Sequence, residues 1–241
     1  MTNLLLGIRV IVFDFDGVIV DSEGAKRAAW HGLLKTTKDQ NGFSWKNLDH
    51  DVLIKEAHRV WIDGTAKGSR FEIIEHMMDA AGYPKSKETI DWYAEAYNRL
   101  VQEAVLAAGI APETHKTLET LSRRYPLYLN SGTPEEALRE SADALGIRAL
   151  FKDVLGKTSE KRDKSKVRNI EIAAQREGAA IDATLFVGDA VSDYKAALEA
   201  KCRFIRFTGF DAEQKNWDEG NPPEIQTLAE LIPESGQSNG A

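Results

Sequence analysis

Four short runs constrain this chain more than any other feature: Ile8–Phe13 (IRVIVF), Leu127–Asn130 (LYLN), Thr184–Val187 (TLFV) and Arg203–Phe207 (RFIRF). Each is close to a continuous stretch of β-branched and apolar residues, with little polar alternation. A strand of that kind is buried on both faces, as in a parallel sheet covered by helices. A weaker run lies at Phe151–Leu155. From about residue 110 onward helical patterns separate the runs, and the alternation predicts a Rossmann-like α/β core with a parallel, doubly wound sheet.

The stretch between the first two runs breaks this alternation. From Glu23 to Ala108 helical spacing recurs without a convincing strand. Ile90, Tyr93, Ala94, Tyr97, Val101, Ala104 and Ala108 form one long stripe, and Phe71, Ile74, Met77, Met78 and Ala81 a shorter one. Stripes like these are core positions. An all-helical insertion too long for a single crossover predicts a separate small domain. The expected organisation is a core made of residues 1–20 and 110–232, an inserted helical cap over 21–109, and a flexible polar tail over 233–241.

Composition narrows the function classes. The formal net charge is −7 over 241 residues, which disfavours a nucleic-acid backbone as the main partner, since such binding draws on clustered Lys and Arg. The apolar runs are far too short to cross a bilayer, so no membrane role is expected. The opening MTNLLLGIRV has no basic leader and reads as the run-up to a strand. Cys202 is the one cysteine; it excludes an intramolecular disulfide and fits a reducing cytoplasm. A monomer or homodimer is expected.

Three polar clusters follow three of the strand runs. The first is Asp14-Phe15-Asp16-Gly17. Residues two apart in an extended chain face one side, so the two carboxylates can converge; a divalent cation would relieve their repulsion, and hard oxygen donors favour magnesium. An acidic loop solvated at a sheet edge is the plain alternative. The second cluster, Asn130-Ser131-Gly132-Thr133-Pro134-Glu135-Glu136, opens a helix that ends at Gly146. Thr133 reads as its N-cap, Pro134 as its first residue and Glu136 as the capping-box partner. The hydroxyl of Ser131 and the amides near Gly132 suit an anion such as phosphate, or merely a well-capped turn. The third cluster, Gly188-Asp189-Ala190-Val191-Ser192-Asp193, adds two carboxylates. Ser192 or Asp193 there could be no more than a helix cap, whereas Asp189 sits too early to cap. Ligands of open α/β sheets bind beyond the carboxyl ends of the strands, and all three clusters have that address.

These residues also carry a resemblance. DFDGVIVDSE resembles the first motif of haloacid dehalogenase superfamily phosphatases, NSGTP the second and VGDAVSD the fourth. The likeness spans nearly the whole chain, including a helical insertion after the first strand. It implies a phosphatase that forms an aspartyl-phosphate at Asp14 and acts on a small phosphorylated metabolite. Asp16 would be the general acid and then the base, an acid that family members cleaving carbon–halogen bonds usually lack. Ser131 and the Gly132 amide would hold the phosphoryl oxygens. Asp14, the Asp16 carbonyl and Asp189 would bind Mg2+, with Asp193 as ligand or support.

The third motif, a lysine, is less sharply drawn. GKTSEKRDKSK offers Lys157, Lys161, Lys164 and Lys166 without the Lys-Pro pair common in relatives. If Ser165 caps a helix with Val167, Ile170 and Ala174 on its apolar face, Lys166 falls in the first turn, at a distance from Asp189 similar to the family's. Lys166 is the choice, with Lys164 next. In the cap, Arg70 follows Lys67-Gly68-Ser69 in a basic turn and could reach an anionic or hydroxyl-rich leaving group; a plain surface turn would read the same way. The nearest rival function is a phosphomutase resembling β-phosphoglucomutase. A non-catalytic binding protein on the same fold is the rival from another class.

Overall fold

The computed structural model describes residues 4–36, 38, 45, 49–55, 70–158, 165–210, 217 and 220–232. The chain divides into two compact units, one built from Met1–Glu23 with Gly109–Ala241 and the other from Gly24–Ala108. The expected flexible tail over 233–241 lies outside the described residues, as do Lys67, Gly68, Ser69, Lys161 and Lys164.

The first unit holds a six-stranded parallel sheet in the order β3-β2-β1-β4-β5-β6. Its strands are β1 (Val10–Asp14), β2 (Leu127–Pro134), β3 (Asp153–Lys157), β4 (Thr184–Gly188), β5 (Arg203–Phe207) and β6 (Glu224–Ile225). The helix α1 (Ser22–Thr36) begins here. The crossovers carry α4 (Pro112–Ser122), α5 (Glu135–Ala144), α6 (Ser165–Arg176) and α7 (Val191–Ala200). This is the Rossmann-like α/β core that the strand runs predict. Burial explains why those runs do not alternate: Val10, Ile11, Val12 and Phe13 are all 0% exposed, although successive side chains face opposite sides of the sheet. On one face Val10, Val12, Tyr128, Leu155, Phe186 and Phe204 pack with Ile170 and Ala173 of α6 and Ala196, Ala197 and Ala200 of α7. Each large apolar side chain buried this way contributes about 1.5–3 kcal/mol.

Two edges of the reading shift. The first strand begins at Val10, not Ile8, and ends on Asp14, while the weak run at Phe151–Leu155 becomes a strand only from Asp153. The two-residue β6 leaves too short a signal to be read in advance.

The named elements of the second unit are helices: the bulk of α1, then α2 (Arg70–Ala80) and α3 (Lys87–Ala108). Its core gathers Trp30, Leu33 and Leu34 with Ile73, Ile74, Met77 and Met78, and with Ile90, Tyr93, Ala94 and Tyr97. Trp30 stacks on Tyr97 with ring centroids 4.0 Å apart. Both stripes need correction at their ends. Phe71 is exposed and Ile73 takes the buried place. Beyond Tyr97, Val105 is buried while Ala108 is exposed, because α3 has run past the cluster that defines its inner face.

Candidate functional site

The strand order creates the site. β1 is flanked by β2 on one side and β4 on the other, and the chain reverses its winding direction between β1 and β4. Such a switch point leaves a crevice beyond the strand ends. Asp14, the last residue of β1, lies there, only 3% exposed. Its Oδ1 accepts the Phe15 N–H at 2.9 Å. The chain then turns through Gly17 at φ +78°, with the Gly17 N–H donating to the Val20 carbonyl at 2.9 Å.

Asp189 follows β4 directly and packs onto that turn. A Cβ on Gly17 would stand 2.5 Å from Asp189 Cγ and 2.8 Å from its Oδ1, so glycine is required both for the backbone angle and for the close approach. Asp193, in the first turn of α7, is fully buried. Its Oδ2 accepts the Ala190 N–H at 3.1 Å, which satisfies one orphan donor of the helix start. The helix-cap reading of Asp193 therefore describes one of its oxygens. Ser192 is exposed and does not cap.

The other oxygen of Asp193 receives the ammonium of Lys166, which also donates to Asp14 Oδ2 at 2.9 Å. Lys166 lies in the first turn of α6, as its spacing predicts. Carboxylate oxygens of Asp14, Asp189 and Asp193 all lie within 4.8 Å of one another. Burial pushes the Asp14 carboxyl well above the usual carboxylate range, and repulsion from Asp193 adds to it. Lys166 opposes the shift, and Asp189 and Asp16 reinforce it. Burial works to lower the Lys166 ammonium, but Asp14 and Asp193 outweigh it and the net shift is upward. Lys166 thus remains charged, yet does not fully compensate Asp14. Hard oxygen donors with surplus negative charge in a poorly solvated place suit a magnesium ion.

The second cluster departs from its expected form. The β2–β3 register slips between Asn130 and Pro134, and β2 continues through Pro134, so that α5 starts only at Glu135. Thr133 is therefore not an N-cap, Pro134 precedes the helix, and no side-chain cap is made. The physical reason is that the Thr133 side chain is engaged elsewhere. Its Oγ1 donates to Asp16 Oδ2 at 3.4 Å, and its N–H is taken by Ser131 Oγ at 3.0 Å. The irregularity brings Ser131, 1% exposed, to donate to Asp16 Oδ2 at 3.2 Å. Gly132 beside it is exposed.

Asp14 and Asp16 thus divide their duties, where strand alternation suggested a shared cation. The Asp14 carboxylate joins Asp189, Asp193 and Lys166, and the Asp16 carboxylate turns to two hydroxyls. Thr133 in this role was missed, as were two buried asparagines, Asn130 and Asn169. A polar residue closing the apolar run LYLN was the available signal for Asn130. Arg70 belongs to the second unit, where its Nη1 donates to Asn98 Oδ1 at 2.7 Å.

The family model described as haloacid dehalogenase-like hydrolase matches residues 8–201. A phosphoglycolate phosphatase of Shigella dysenteriae is 27% identical over 97% of this chain and 95% of its own. Among solved structures, the hydrolase YfnB from Bacillus subtilis, bound to magnesium, aligns with a TM-score of 0.67 at 19% identity, covering 93% of this chain and 96% of that one. A β-phosphoglucomutase from Clostridium difficile aligns with a TM-score of 0.62 at 20% identity over 94% of each. At these identities the two structures share the fold with this chain.

Proposed function

The chain belongs to the haloacid dehalogenase-like hydrolases, and from that premise we propose that it is a magnesium-dependent phosphomonoester hydrolase using Asp14 as nucleophile on a small phosphorylated metabolite. The observation that carries this reading is the meeting of the Asp14, Asp189 and Asp193 carboxylates with Lys166 at one switch point. The phosphoglycolate phosphatase relatives support a phosphate monoester as substrate.

Asp14 attacks phosphorus, forming the Asp14–phosphorus bond as the bond to the leaving oxygen breaks. Asp16 gives that oxygen its proton. The Asp16 carboxylate then takes a proton from water, whose oxygen displaces Asp14 and releases inorganic phosphate. Its place beside the Ser131 and Thr133 hydroxyls, apart from the Asp14–Lys166 pair, suits a group that gives and takes protons while Asp14 attacks and then leaves phosphorus. Ser131, the Gly132 N–H and Lys166 hold the phosphoryl oxygens. Asp14, the Asp16 carbonyl, Asp189 and Asp193 are the candidate magnesium ligands. The ion, when bound, offsets the repulsion between a carboxylate and a phosphate dianion and stabilises charge in the transition state. The helical unit is read as a cap over 21–109, with Arg70 as its contact to the leaving group. Among the described residues no helix is long and apolar enough to cross a membrane, and the single Cys202 supports a cytoplasmic setting.

The test is a panel of phosphorylated metabolites, phosphoglycolate and sugar phosphates included, with and without magnesium. Acid quenching and peptide mass spectrometry then locate the phosphoryl group. The expected results are magnesium-dependent release of free phosphate, a label on Asp14, and no turnover by a folded Asp14→Asn variant. Substantial turnover by that variant overturns the covalent route. Isomerisation of a sugar phosphate without net phosphate release replaces the hydrolase with the mutase reading.

A further inference from the structure

Asn130 and Asn169 are 0% and 3% exposed and lie behind the site. Asn169 Nδ2 donates to Asn130 Oδ1 at 3.0 Å and to the β3 carbonyls of Leu155 at 3.0 Å and Gly156 at 3.3 Å. Backbone carbonyls only accept, so the nitrogen of Asn169 must face them, and the oxygen of Asn130 must face Asn169. This leaves the Asn130 amide nitrogen to donate elsewhere, and its acceptor is the carbonyl of Lys166, at 2.9 Å. The bonds run from β3 to Asn169 on α6, from there to Asn130 on β2 beside its register partner Asp14, and back to the first turn of α6 at Lys166.

Two buried amides, Asn130 on β2 and Asn169 on α6, are a hazard. Each buried polar group left unpaired costs about 1–3 kcal/mol, and a matched apolar pair would fill the space without that exposure to error. Among the described residues, the side-chain bond that this pair makes beyond its anchors on β3 goes to the backbone of the lysine that meets Asp14 and Asp193. We propose that Asn130 and Asn169 are positioning residues for Lys166: they fix the first turn of α6 against β2 and β3, so that a four-carbon side chain delivers its ammonium to both carboxylates. The proposal rests on the reading of Lys166 as part of the phosphoryl site.

The test is a mutant cycle on magnesium-saturated enzyme, with p-nitrophenyl phosphate as substrate and a thermal melt for every variant. Asn169→Leu alone strands the Asn130 amide and endangers folding. The decisive variant is therefore the pair Asn130→Val with Asn169→Leu, which removes both amides together, although the carbonyls of Leu155, Gly156 and Lys166 each lose a donor. The expected result is a cooperative melt that shows a folded chain at the assay temperature, with kcat lower by about 10- to 100-fold and KM changed much less, as for a misplaced catalytic group. In a Lys166→Met background the same pair should lower kcat by less than about twofold further, because the residue it positions is gone. Native kcat in the paired variant overturns the proposal, and so does an equal loss in both backgrounds. Should Lys166→Met alone keep native activity, the reading of Lys166 is what fails, and the proposal falls with it.

Discussion

Gly17→Ala separates the backbone requirement of the first loop from its part in holding a cation. An alanine at φ +78° is strained by about 1–2 kcal/mol, because its Cβ crowds the following carbonyl. Gly146, just past the end of α5 at φ +70°, provides the control. An alanine there meets the same strain, but its Cβ has nothing within 4 Å. At Gly17 the added carbon would lie 2.5 Å from Asp189 Cγ and 2.8 Å from Oδ1. Asp189 must retreat by about 1 Å to restore ordinary contact. Without metal that retreat is inexpensive, since a side chain can swing. Magnesium, however, demands near-ideal octahedral oxygens at about 2.0–2.1 Å, and a displacement of this size takes one ligand out of reach. In urea unfolding with a chelator, both variants should therefore lose about 1–2 kcal/mol. At a magnesium concentration of about 100 times the dissociation constant, the native chain and Gly146→Ala should gain about 2.7 kcal/mol. A tenfold loss of affinity would remove about 1.3 kcal/mol of that gain from Gly17→Ala. Equal magnesium stabilisation of the two variants would refute the placement of Asp189 in the cation site.

The upward shift of Asp14 sets a pH signature. The folded, metal-free chain binds this proton more tightly than the unfolded chain, so its stability falls as pH rises from the ordinary carboxylate range through the raised value. Magnesium displaces the proton, and the rise in Tm on adding it should be larger at about pH 8 than at about pH 5; an equal rise at both, or the same pH dependence in Asp14→Asn, contradicts this. The two candidate lysines separate by substitution: Lys166→Met should lower kcat about 100-fold or more, whereas Lys164→Met should stay within about twofold of native. The reverse order would transfer the role to Lys164.

The sheet was legible because burial on both faces leaves an uninterrupted apolar signature, and because Asp14 and Asp189 stand where such runs stop. The position of Lys166 could be read because a first-turn residue is fixed by the apolar face of its own helix, here Val167, Ile170 and Ala174. The direction of Asp16 could not. Period-two logic holds only inside a strand, and Asp16 lies beyond the end of β1, in a loop whose shape depends on Gly17. Thr133 was misread for a related reason. Thr-Pro-Glu-Glu is a good helix start locally, but the irregular end of β2 and the acceptor on Asp16 compete for the same hydroxyl. Local preference gave way to a partner 117 residues away in the chain.

The same competition explains why the polar groups gather in one place. A carboxylate as buried as Asp14 is an expense that a fold tolerates only where partners with fixed backbones converge. The switch point brings together the end of a central strand, the end of its neighbour and the first turns of two helices. α6 brings Lys166, and α7 brings Asp193, whose second oxygen is already engaged by the Ala190 N–H. Each partner is thus held from behind, Asp193 by a helix start and Lys166 through Asn130 and Asn169 from β3. Asp189 is carried on a short loop after β4 and rests on Gly17. If a cation completes the site, the turn at Gly17 therefore bounds the place of the Asp189 carboxylate from one side, since even a single added carbon there would meet it.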